Sequence, residues 1–566
     1  MLKIKPISSL EKVFLDTPLN GLAAIKTISM YKNERLSFQI AYTETDPTRP
    51  RRYWVKPIIE GELAKYATVR TVECVPVRLA VYPNSFDDNY LRVTPGLYPD
   101  LLQPLHMDGL VPVVGGVSHA IWIELDPCGE AMAGDTTLTI KLVANETISA
   151  ETTLDIKVID AMLPEQKMPV TQWFHCDCLA DYYGVEMFSE RHWKIIDAFI
   201  ATAVRNGVDT MLTPVFTPPL DTAVGYERPT AQLVGVTAEK TADGTKYSFD
   251  FTALNRWVEM CDRNGVRFFE ISHLFTQWGA AHAPKIVATV VENGTQRVER
   301  IFGWDTVIDS TDCEYARFLR SFLAEFIGHM KRNGNDKRCI WHISDEPNVA
   351  QIEQYALSRS IVADLLKDYV CMDALANYEF YRQGFVTTPV VSNNSMRPFI
   401  ENETPNLWTY YCCSQGVGTS NRFIAMPGAR TRFMGTQCYC YKIAGFLQWG
   451  YNFYYNQGSR DLVNPFLDTS GDYFVPAGDT FSVYPAPDGR AWESMRIVQF
   501  HEGLQDMRAM ELCESLIGRD ETMRIIENAY GRVIFEKCPY TLEQMLRIRR
   551  AIDEAVARAL ENKVCL

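Results

Sequence analysis

The sequence predicts a multidomain protein in which an N-terminal β-sandwich precedes a (β/α)8 TIM-like barrel and a C-terminal helical segment. Three patterns support this prediction: apolar alternation in the first part of the chain, a repeated helix-glycine-strand unit, and a final helical apolar stripe. The length of 566 residues exceeds what one hydrophobic core usually serves. We expect the domains to span residues 1–163, 164–515 and 516–566.

The first domain is predicted from alternating apolar and polar side chains. The alternation occurs in short runs at residues 36–42, 69–82, 120–125, 136–143 and 152–158. A period of two belongs to half-buried antiparallel strands, and two packed sheets bury such strands economically, so we expect a β-sandwich. Residues 160–170, with Pro164 and Pro169, are predicted to be a linker.

The barrel is predicted from the tripeptide Arg-Asn-Gly, which occurs at residues 205–207, 263–265 and 332–334. Each copy follows an amphipathic helix and precedes a short apolar run, and glycine after a last helical turn permits the left-handed cap. Repeated helix, cap and strand units indicate a parallel sheet. The strand candidates are residues 172–176, 208–212, 266–273, 339–344, 369–375, 407–412 and 445–452. A barrel is favoured over an open doubly wound sheet, because no Gly-rich phosphate loop follows the first strand.

The C-terminal segment is predicted to be helical. Thr541 and Gln544 form a capping-box pattern before a helix. Its apolar stripe consists of Leu542, Met545, Leu546, Ile552, Val556 and Leu560. Such a stripe is typical of packing against a core.

Composition narrows the function classes. A formal net charge of -14 argues against a nucleic-acid partner, which usually requires a basic patch. Residues 1–19 lack the continuous apolar run of a signal peptide, and no later segment is apolar enough to span a bilayer. We therefore expect a cytoplasmic protein. A secreted protein whose leader had been removed would show the same sequence. Fifteen cysteines without regular spacing suit free thiols. The oligomeric state stays open.

The strongest catalytic candidates follow the fourth strand, where the sequence is Ser344-Asp345-Glu346-Pro347. In a barrel, catalytic side chains stand where strands end. We expect Pro347 to hold Glu346 in an extended conformation. The alternative is that Ser344 or Asp345 only caps the next helix.

Other strand ends carry residues suited to a pyranose, with aromatic faces beside carboxylates, amides and histidines. Each of them alone is more often structural, and their convergence on one face is what indicates a sugar site. The predicted substrate-binding residues are His175, Asp177, His273, Trp278, Asp373, Tyr378, Tyr410, Trp449 and Asn452. Glu270, Gln277, Asn377, Trp408, Tyr411 and Tyr454 lie at the same strand ends.

Several segments resemble glycoside hydrolase family 123, whose known members are β-N-acetylgalactosaminidases. They are His-Ile-Ser-Asp-Glu-Pro at 342–347, Trp-Phe-His-Cys-Asp-Cys-Leu-Ala at 173–180, Leu-Trp-Thr-Tyr-Tyr-Cys-Cys at 407–413, Gly-Phe-Leu-Gln-Trp-Gly-Tyr-Asn at 445–452 and Pro-Ala-Gly-Asp at 476–479. The similarity extends over most of the chain. It implies a retaining exo-glycosidase that acts on a terminal β-linked N-acetylgalactosamine in an oligosaccharide or glycoconjugate. The galacto preference comes from this resemblance alone.

The resemblance also implies substrate-assisted catalysis, in which the 2-acetamido oxygen attacks the anomeric carbon. Glu346 would then be the acid/base, while Asp345 would accept from the acetamido N–H and stabilise the positive intermediate. Repulsion between the neighbouring carboxylates would raise one pKa and help keep Glu346 protonated. Tyr378 or Tyr410 would donate to the acetamido carbonyl.

Two rival hypotheses are a conventional double displacement by Glu270 and Glu346 on sugars without an acetamido group, and a non-catalytic carbohydrate-binding protein.

Two Cys-x-Cys pairs could suggest a metal site: Cys176 with Cys178 near His175, and Cys438 with Cys440. Their spacing is not the usual spacing of zinc ligands. We expect neither metal nor cofactor. No G-x-S-x-G elbow supports a serine hydrolase.

Overall fold

The computed structural model describes residues 1–46, 48, 51–277 and 279–564. A sheet-rich N-terminal region leads into a closed barrel of eight parallel strands with helices, and three long helices end the chain. This multidomain order is the predicted one. In the described part of the chain, no helix is both long and apolar enough to cross a bilayer.

The N-terminal region contains two five-stranded sheets, with strand orders β1-β3-β8-β5-β6 and β2-β10-β9-β4-β7. The strands are β1 (Leu2–Ser8), β2 (Thr27–Tyr31), β3 (Leu36–Glu44), β4 (Arg52–Glu60), β5 (Ala67–Val77), β6 (Gly96–Pro104), β7 (Val111–Val114), β8 (Ser118–Leu125), β9 (Gly134–Ala144) and β10 (Thr147–Ile159). Phe38 and Ile121 of the first sheet share one buried core with Ile140 and Ile156 of the second. All five alternating runs fall on strands, although residues 78–82 lie beyond the end of β5.

The remaining strands include the barrel. They are β11 (Val170–Gln172), β12 (Thr210–Thr213), β13 (Gly235–Thr241), β14 (Gly244–Asp250), β15 (Phe268–Ile271), β16 (Ile286–Glu292), β17 (Thr295–Phe302), β18 (Cys339–Trp341), β19 (Val370–Leu375), β20 (Thr388–Ser392), β21 (Trp408–Tyr410), β22 (Gly445–Gln448), β23 (Val483–Pro485) and β24 (Ala491–Glu493). Strands β11, β12, β15, β18, β19, β20, β21 and β22 close the barrel in chain order. A further sheet, in the order β14-β13-β16-β17, was not predicted.

The helices are α1 (Cys176–Tyr183), α2 (Glu190–Arg205), α3 (Thr252–Asn264), α4 (Glu314–Arg332), α5 (Ile352–Leu366), α6 (Tyr378–Arg382), α7 (Arg397–Glu401), α8 (Gly428–Arg432), α9 (Met434–Cys440), α10 (Met495–Ile517), α11 (Arg519–Tyr530) and α12 (Leu542–Val564). The Arg-Asn-Gly copies end α2, α3 and α4, and their glycines have φ of +81°, +85° and +70°. The left-handed caps are therefore confirmed. The barrel's first strand was predicted too late in the chain, because β11 ends at Gln172 and His175 already lies at the residue that precedes α1.

The C-terminal capping box forms as predicted. The N–H of Gln544 donates to Thr541 Oγ1 at 3.3 Å, and the N–H of Thr541 donates to Gln544 Oε1 at 3.1 Å. Met545, Ile552 and Val556 of α12 are fully buried, so the stripe packs into the core.

Buried ion pairs join the N-terminal sheets to the barrel. Arg70 of β5 contacts Glu124 of β8 at 3.0 Å and also contacts Glu493 of β24. Arg205 at the end of α2 contacts Glu493 at 3.0 Å and also contacts Glu124. Burial favours the neutral form of Glu493, but the arginines outweigh it and lower the pKa of this carboxyl. The sheets and the barrel thus share one compensated set of charges.

Candidate active site

The segment after β18 is tied to the segment after β15 by hydrogen bonds. The N–H of Leu274 donates to the carbonyl of His342 at 3.2 Å, and that of Phe275 donates to Ile343 at 3.0 Å. Ser344 Oγ donates to the carbonyl of Thr276 at 2.8 Å. These bonds hold residues 345 and 346 at the carboxyl end of the barrel strands.

The capping alternative for Ser344 and Asp345 fails, because another residue has that role. Asn348 accepts from the N–H of Ala350 at 3.0 Å, and Gln351 completes a capping box on the short helical turn before α5. The helix start is therefore satisfied without either carboxylate of the Asp345–Glu346 pair.

The backbone of Glu346 is left-handed, with φ of +43°. The prediction that Pro347 keeps Glu346 extended is therefore wrong. The Glu346 N–H donates to the carbonyl of Ala374 in β19 at 3.1 Å, which fixes the turn against the neighbouring strand. A non-glycine residue in this conformation costs about 1–3 kcal/mol and persists only where its surroundings enforce it.

Asp345 is a buried acid, only 6% exposed. Its Oδ2 accepts from Gln277 Nε2 at 2.8 Å. Burial, and then the charge of Glu346, raise the pKa of Asp345 well above its usual range, against the lowering effects of Gln277 and His342. We had expected repulsion within the pair to keep Glu346 protonated, but the raised pKa occurs at Asp345 instead, because Asp345 is the buried member.

Glu346 is exposed, and its Oε1 accepts from the hydroxyl of Tyr410 at 2.6 Å. Tyr410 is only 5% exposed, and burial together with Glu346 raises the pKa of its phenol well above the usual value. The phenol therefore remains a hydrogen-bond donor. In the structure Tyr410 donates to Glu346, whereas we had expected Tyr378 or Tyr410 to donate to the acetamido carbonyl.

A fully buried histidine lies under the pair. His342 contacts Glu270 at 2.7 Å through Nε2 and Asp373 at 3.3 Å through Nδ1. Burial lowers the pKa of His342, but the two carboxylates outweigh it and raise this pKa to about 9. The two carboxylates thus favour the protonated form of His342, and the charge of this form opposes the rise in the pKa of Asp345.

Glu270 and Asp373 are both buried and occupied by protein donors. Glu270 accepts from Thr171, from Trp173 Nε1 at 2.7 Å and from His342. Asp373 accepts from the N–H groups of residues 343 and 344 and, at 2.5 Å, from the hydroxyl of Tyr355. Asp373 was predicted to bind substrate, but it is 1% exposed and holds the strand tip and His342. We assign both acids a positioning role.

His175, Asp177 and Asn452 meet at the junction of the first and last barrel strands. Asn452 Oδ1 accepts from the His175 N–H at 2.8 Å, and its Nδ2 donates to the His175 carbonyl at 3.1 Å. Arg228 donates to both oxygens of Asp177 at 2.6 and 2.8 Å and to His175 Nδ1 at 3.1 Å. All four side chains are at least 98% buried. The structure therefore brings the three predicted residues together, but as an enclosed and satisfied group.

The other predicted substrate-binding residues are spread around the barrel end. His273 is 2% exposed and stacks on His342 at 4.3 Å between ring centroids. Tyr378, at the start of α6, packs edge-on against Phe399 at 5.0 Å. Trp449 is half-buried and donates through Nε1 to Asp479 Oδ2 at 2.9 Å. Trp278 lies outside the described residues.

Sequence reasoning assigned no role to Asp221, Arg228 or Asp479. Asp221 is half-buried on the loop after β12. Burial raises its pKa to about 7; the charge of Arg228 opposes this rise, and the charges of Glu346 and Asp479 add to it. Burial raises the pKa of Asp479 to about 6. Asp479 belongs to the Pro-Ala-Gly-Asp segment at 476–479, whose resemblance to family 123 could have indicated this residue. Asp221 and Arg228 lie in a loop without periodic pattern.

The described residues contain no group of three or more His, Cys, Asp or Glu side chains arranged to hold a metal ion. The barrel end presents an exposed carboxyl, Glu346, beside the hydroxyl of Tyr410, and a buried carboxyl, Asp345, beside the amide of Gln277.

Comparison with known proteins gives two kinds of match. The sequence model for "Glycoside hydrolase 123, catalytic domain" matches residues 173–513. A family 123 glycoside hydrolase from Clostridium perfringens, solved in work on glycolipid glycan hydrolysis, superimposes with a TM-score of 0.72, covers all of both chains and is 13% identical. A family 39 glycoside hydrolase from Bacteroides cellulosilyticus WH2 is 10% identical over 77% of each chain, with a TM-score of 0.32 that is too low to carry an argument. No curated protein sequence matches.

Proposed function

The chain belongs to glycoside hydrolase family 123, and on this premise we propose that it is a retaining exo-glycosidase that releases a terminal β-linked N-acetylgalactosamine by substrate-assisted catalysis. A glycoside hydrolase activity follows from the family. The mechanism and the acetamido sugar are the proposal, and the observation that carries them is the different environment of two neighbouring carboxylates.

Asp345 is buried and accepts one hydrogen bond from the described residues, whereas Glu346 is exposed at a strand tip beside Tyr410. A retaining enzyme with its own nucleophile needs two carboxylates about 5 Å apart on opposite sides of the glycosidic bond. Side chains on consecutive residues are poorly placed for that arrangement. If the sugar supplies the nucleophile, one proton donor and one amide acceptor are sufficient.

In the proposed reaction, Glu346 protonates the leaving oxygen while the acetamido oxygen forms a bond to the anomeric carbon. Asp345 accepts from the acetamido N–H and stabilises the positive charge that develops on the oxazolinium-like intermediate. Water then attacks the anomeric carbon as Glu346 removes its proton, and the bond between the acetamido oxygen and this carbon breaks. Two inversions at this carbon retain its configuration.

The rival pair of Glu270 and Glu346 is disfavoured by the surroundings of Glu270. This carboxylate is fully buried and accepts from three protein donors, including His342 at 2.7 Å. A nucleophile would have to leave these bonds in order to reach an anomeric carbon. Glu270 therefore suits a positioning role.

We also propose the finer description of the fold: a β-sandwich over residues 1–163, a (β/α)8 TIM-like barrel over 164–515 and a C-terminal extension over 516–566. The shared core of the two N-terminal sheets and the closed parallel barrel agree with it. The second limit falls within helix α10, which ends at Ile517.

The test is a panel of aryl glycosides that differ at C2 and C4. We expect turnover of the 2-acetamido-β-galactoside, with little or none of the plain β-galactoside, and a product whose first-formed anomer is β by NMR. Brisk turnover of the plain galactoside, or a glycosyl ester trapped on Glu270, would overturn the mechanism. The 2-acetamido-β-glucoside measures the contribution of C4 configuration.

A further inference from the structure

The amide of Gln277 lies between the loop after β12 and the catalytic pair. Its Oε1 accepts from the main-chain N–H of Asp221 at 2.6 Å, and its Nε2 donates to Asp345 Oδ2 at 2.8 Å. A main-chain N–H can only donate, so it requires the oxygen of the amide. The nitrogen must then face Asp345. The loop therefore determines which end of Gln277 meets the carboxylate.

The loop position that supplies this N–H is itself strained and fixed. Asp221 has φ of +48°, and its carbonyl accepts from Ser459 Oγ at 2.7 Å. Ala223 donates from its main chain to the carbonyl of Gly458 at 2.9 Å. A left-handed non-glycine residue persists only where its surroundings enforce it. The segments around residues 221 and 458 thus aim the Asp221 N–H at Gln277.

The consequence for Asp345 is an asymmetric carboxylate. The described residues give it a single hydrogen bond, which goes to Oδ2. Gln277 is 7% exposed, so water competes little for this bond. Oδ1 is therefore the oxygen available for a donor from the substrate.

We propose that Gln277, aimed by the Asp221 main chain, is the positioning residue of Asp345, holding Oδ2 so that Oδ1 receives the acetamido N–H of the substrate. This inference rests on the proposed function. Gln277 makes no bond to the reacting atoms. It fixes the rotation of the carboxylate and favours its charged form against the effect of burial.

The test uses two variants of the full chain. Gln277→Met keeps the length but removes the donor, and Gln277→Glu keeps the shape so that folding is preserved. With the aryl 2-acetamido-β-galactoside we expect Gln277→Met to lower kcat about 10–100-fold with KM changed less than about 3-fold. Gln277→Glu should lose more activity as pH rises, because its own carboxylate then ionises beside Asp345.

The pH profile separates positioning from a structural effect. The charged or titratable groups that act on Asp345 are Glu346, Asp221 and His342, together with the amide of Gln277. Gln277→Met removes a lowering influence, so the limb of the kcat/KM profile that reports Asp345 should move to higher pH. Asp221→Asn retains the main-chain N–H and tolerates a left-handed backbone, but removes a negative charge, so this limb should move to lower pH.

The matched control is Gln354→Met on α5, where the side chain donates to the carbonyl of Ile308 at 3.0 Å, away from the pair. We expect its kcat and pH profile to equal those of the wild type. A thiazoline analogue of the bicyclic intermediate should bind Gln277→Met at least about 10-fold more weakly. If wild type turns over the acetamido substrate and both Gln277 variants match it in rate and pH profile, this inference is wrong. If wild type itself prefers the plain galactoside, the proposed function is wrong.

Discussion

Two buried aspartates at the carboxyl end of the barrel differ in how completely neighbouring groups compensate their negative charge. Asp177, after the first strand, is 1% exposed and accepts two hydrogen bonds from the equally buried Arg228. Asp345, after the fourth strand, is 6% exposed, and within the described part of the chain it accepts one hydrogen bond, from the neutral Gln277. Full compensation at Asp177 indicates architecture, while the incomplete compensation of Asp345 leaves acceptor capacity for a ligand.

Backbone strain separates the same two regions. Glu346 and Asp221 both have positive φ near Asp345. No such residue is found among the described positions that bind Asp177, since Arg228 has no positive φ. Among the described residues, backbone strain and an incompletely hydrogen-bonded carboxyl group therefore coincide at Asp345, in the region that we assign to chemistry.

The largest expected effect is a loss of activity on substitution of Glu346, in the strained region around Asp345. Glu346→Gln removes the proton donor, so we expect kcat on the aryl 2-acetamido-β-galactoside to fall about 10³-fold. Because the side chain is exposed, Tm should change little. The control is Glu401→Gln, an exposed glutamate of α7. A non-catalytic binding protein would give equal background rates for both variants and the wild type.

The next largest expected effect is a loss of stability on breaking the buried pair of Asp177 and Arg228. Arg228→Met leaves Asp177 buried without its partner, so the free energy of unfolding should fall by about 3–5 kcal/mol. Urea unfolding followed by tryptophan fluorescence measures this. The control, Arg317→Met, breaks an exposed pair with Asp312 and should cost less than about 1 kcal/mol. Equal losses in the two variants would contradict the comparison.

The third prediction is a gain in the free energy of unfolding, whereas the second was a loss. The folded-state pKa of Asp345 is raised, so folding is favoured while this group is protonated, and that contribution is lost as pH rises from the unfolded value toward the folded one. Asp345→Asn removes this penalty. We expect its free energy of unfolding at neutral pH to exceed that of the wild type by about 1 kcal/mol, with the difference shrinking in acid. A lower stability than wild type at neutral pH would show that Asp345 is compensated after all.

The smallest expected effect concerns Trp449, which was predicted to bind substrate. Its half-buried ring can either stack on the sugar or pack in the core. Trp449→Phe keeps a ring face but removes the bond to Asp479, so we expect kcat/KM to fall about 3-fold. Trp449→Ala also removes the face, and a stacking role predicts a fall of about 10-fold or more. If both variants keep their kcat/KM and lose only stability, the residue is core.

The pattern of the sequence determined much of the fold because barrel strands are buried and helices end in recognisable caps. Seven of the eight barrel strands lie at or next to predicted runs, with limits that shift by a few residues. The missed strand, β20, contains Pro389, a residue that normally argues against a strand in a sheet. The additional four-stranded sheet was not predicted, because its strands do not belong to the repeated helix-strand units.

The catalytic pair could be predicted because it directly follows a recognisable strand. Glu346 and Asp345 needed only the rule that catalytic groups lie at strand ends. Arg228 and Asp221 could not be found, since a long loop brings them to the site through tertiary packing. The conformation of Glu346 was also beyond local rules, because a bond to the next strand overrides the preference imposed by Pro347.

The ion pairs between Arg70, Arg205, Glu124 and Glu493 have a consequence for engineering. Excising the barrel as a catalytic fragment would remove Glu124 together with Arg35 and Arg70, two of the three arginines that lower the pKa of Glu493. The N-terminal sheets therefore act as an electrostatic counterpart of the barrel. Grafting them onto another hydrolase would require transplanting both halves of this charge set together.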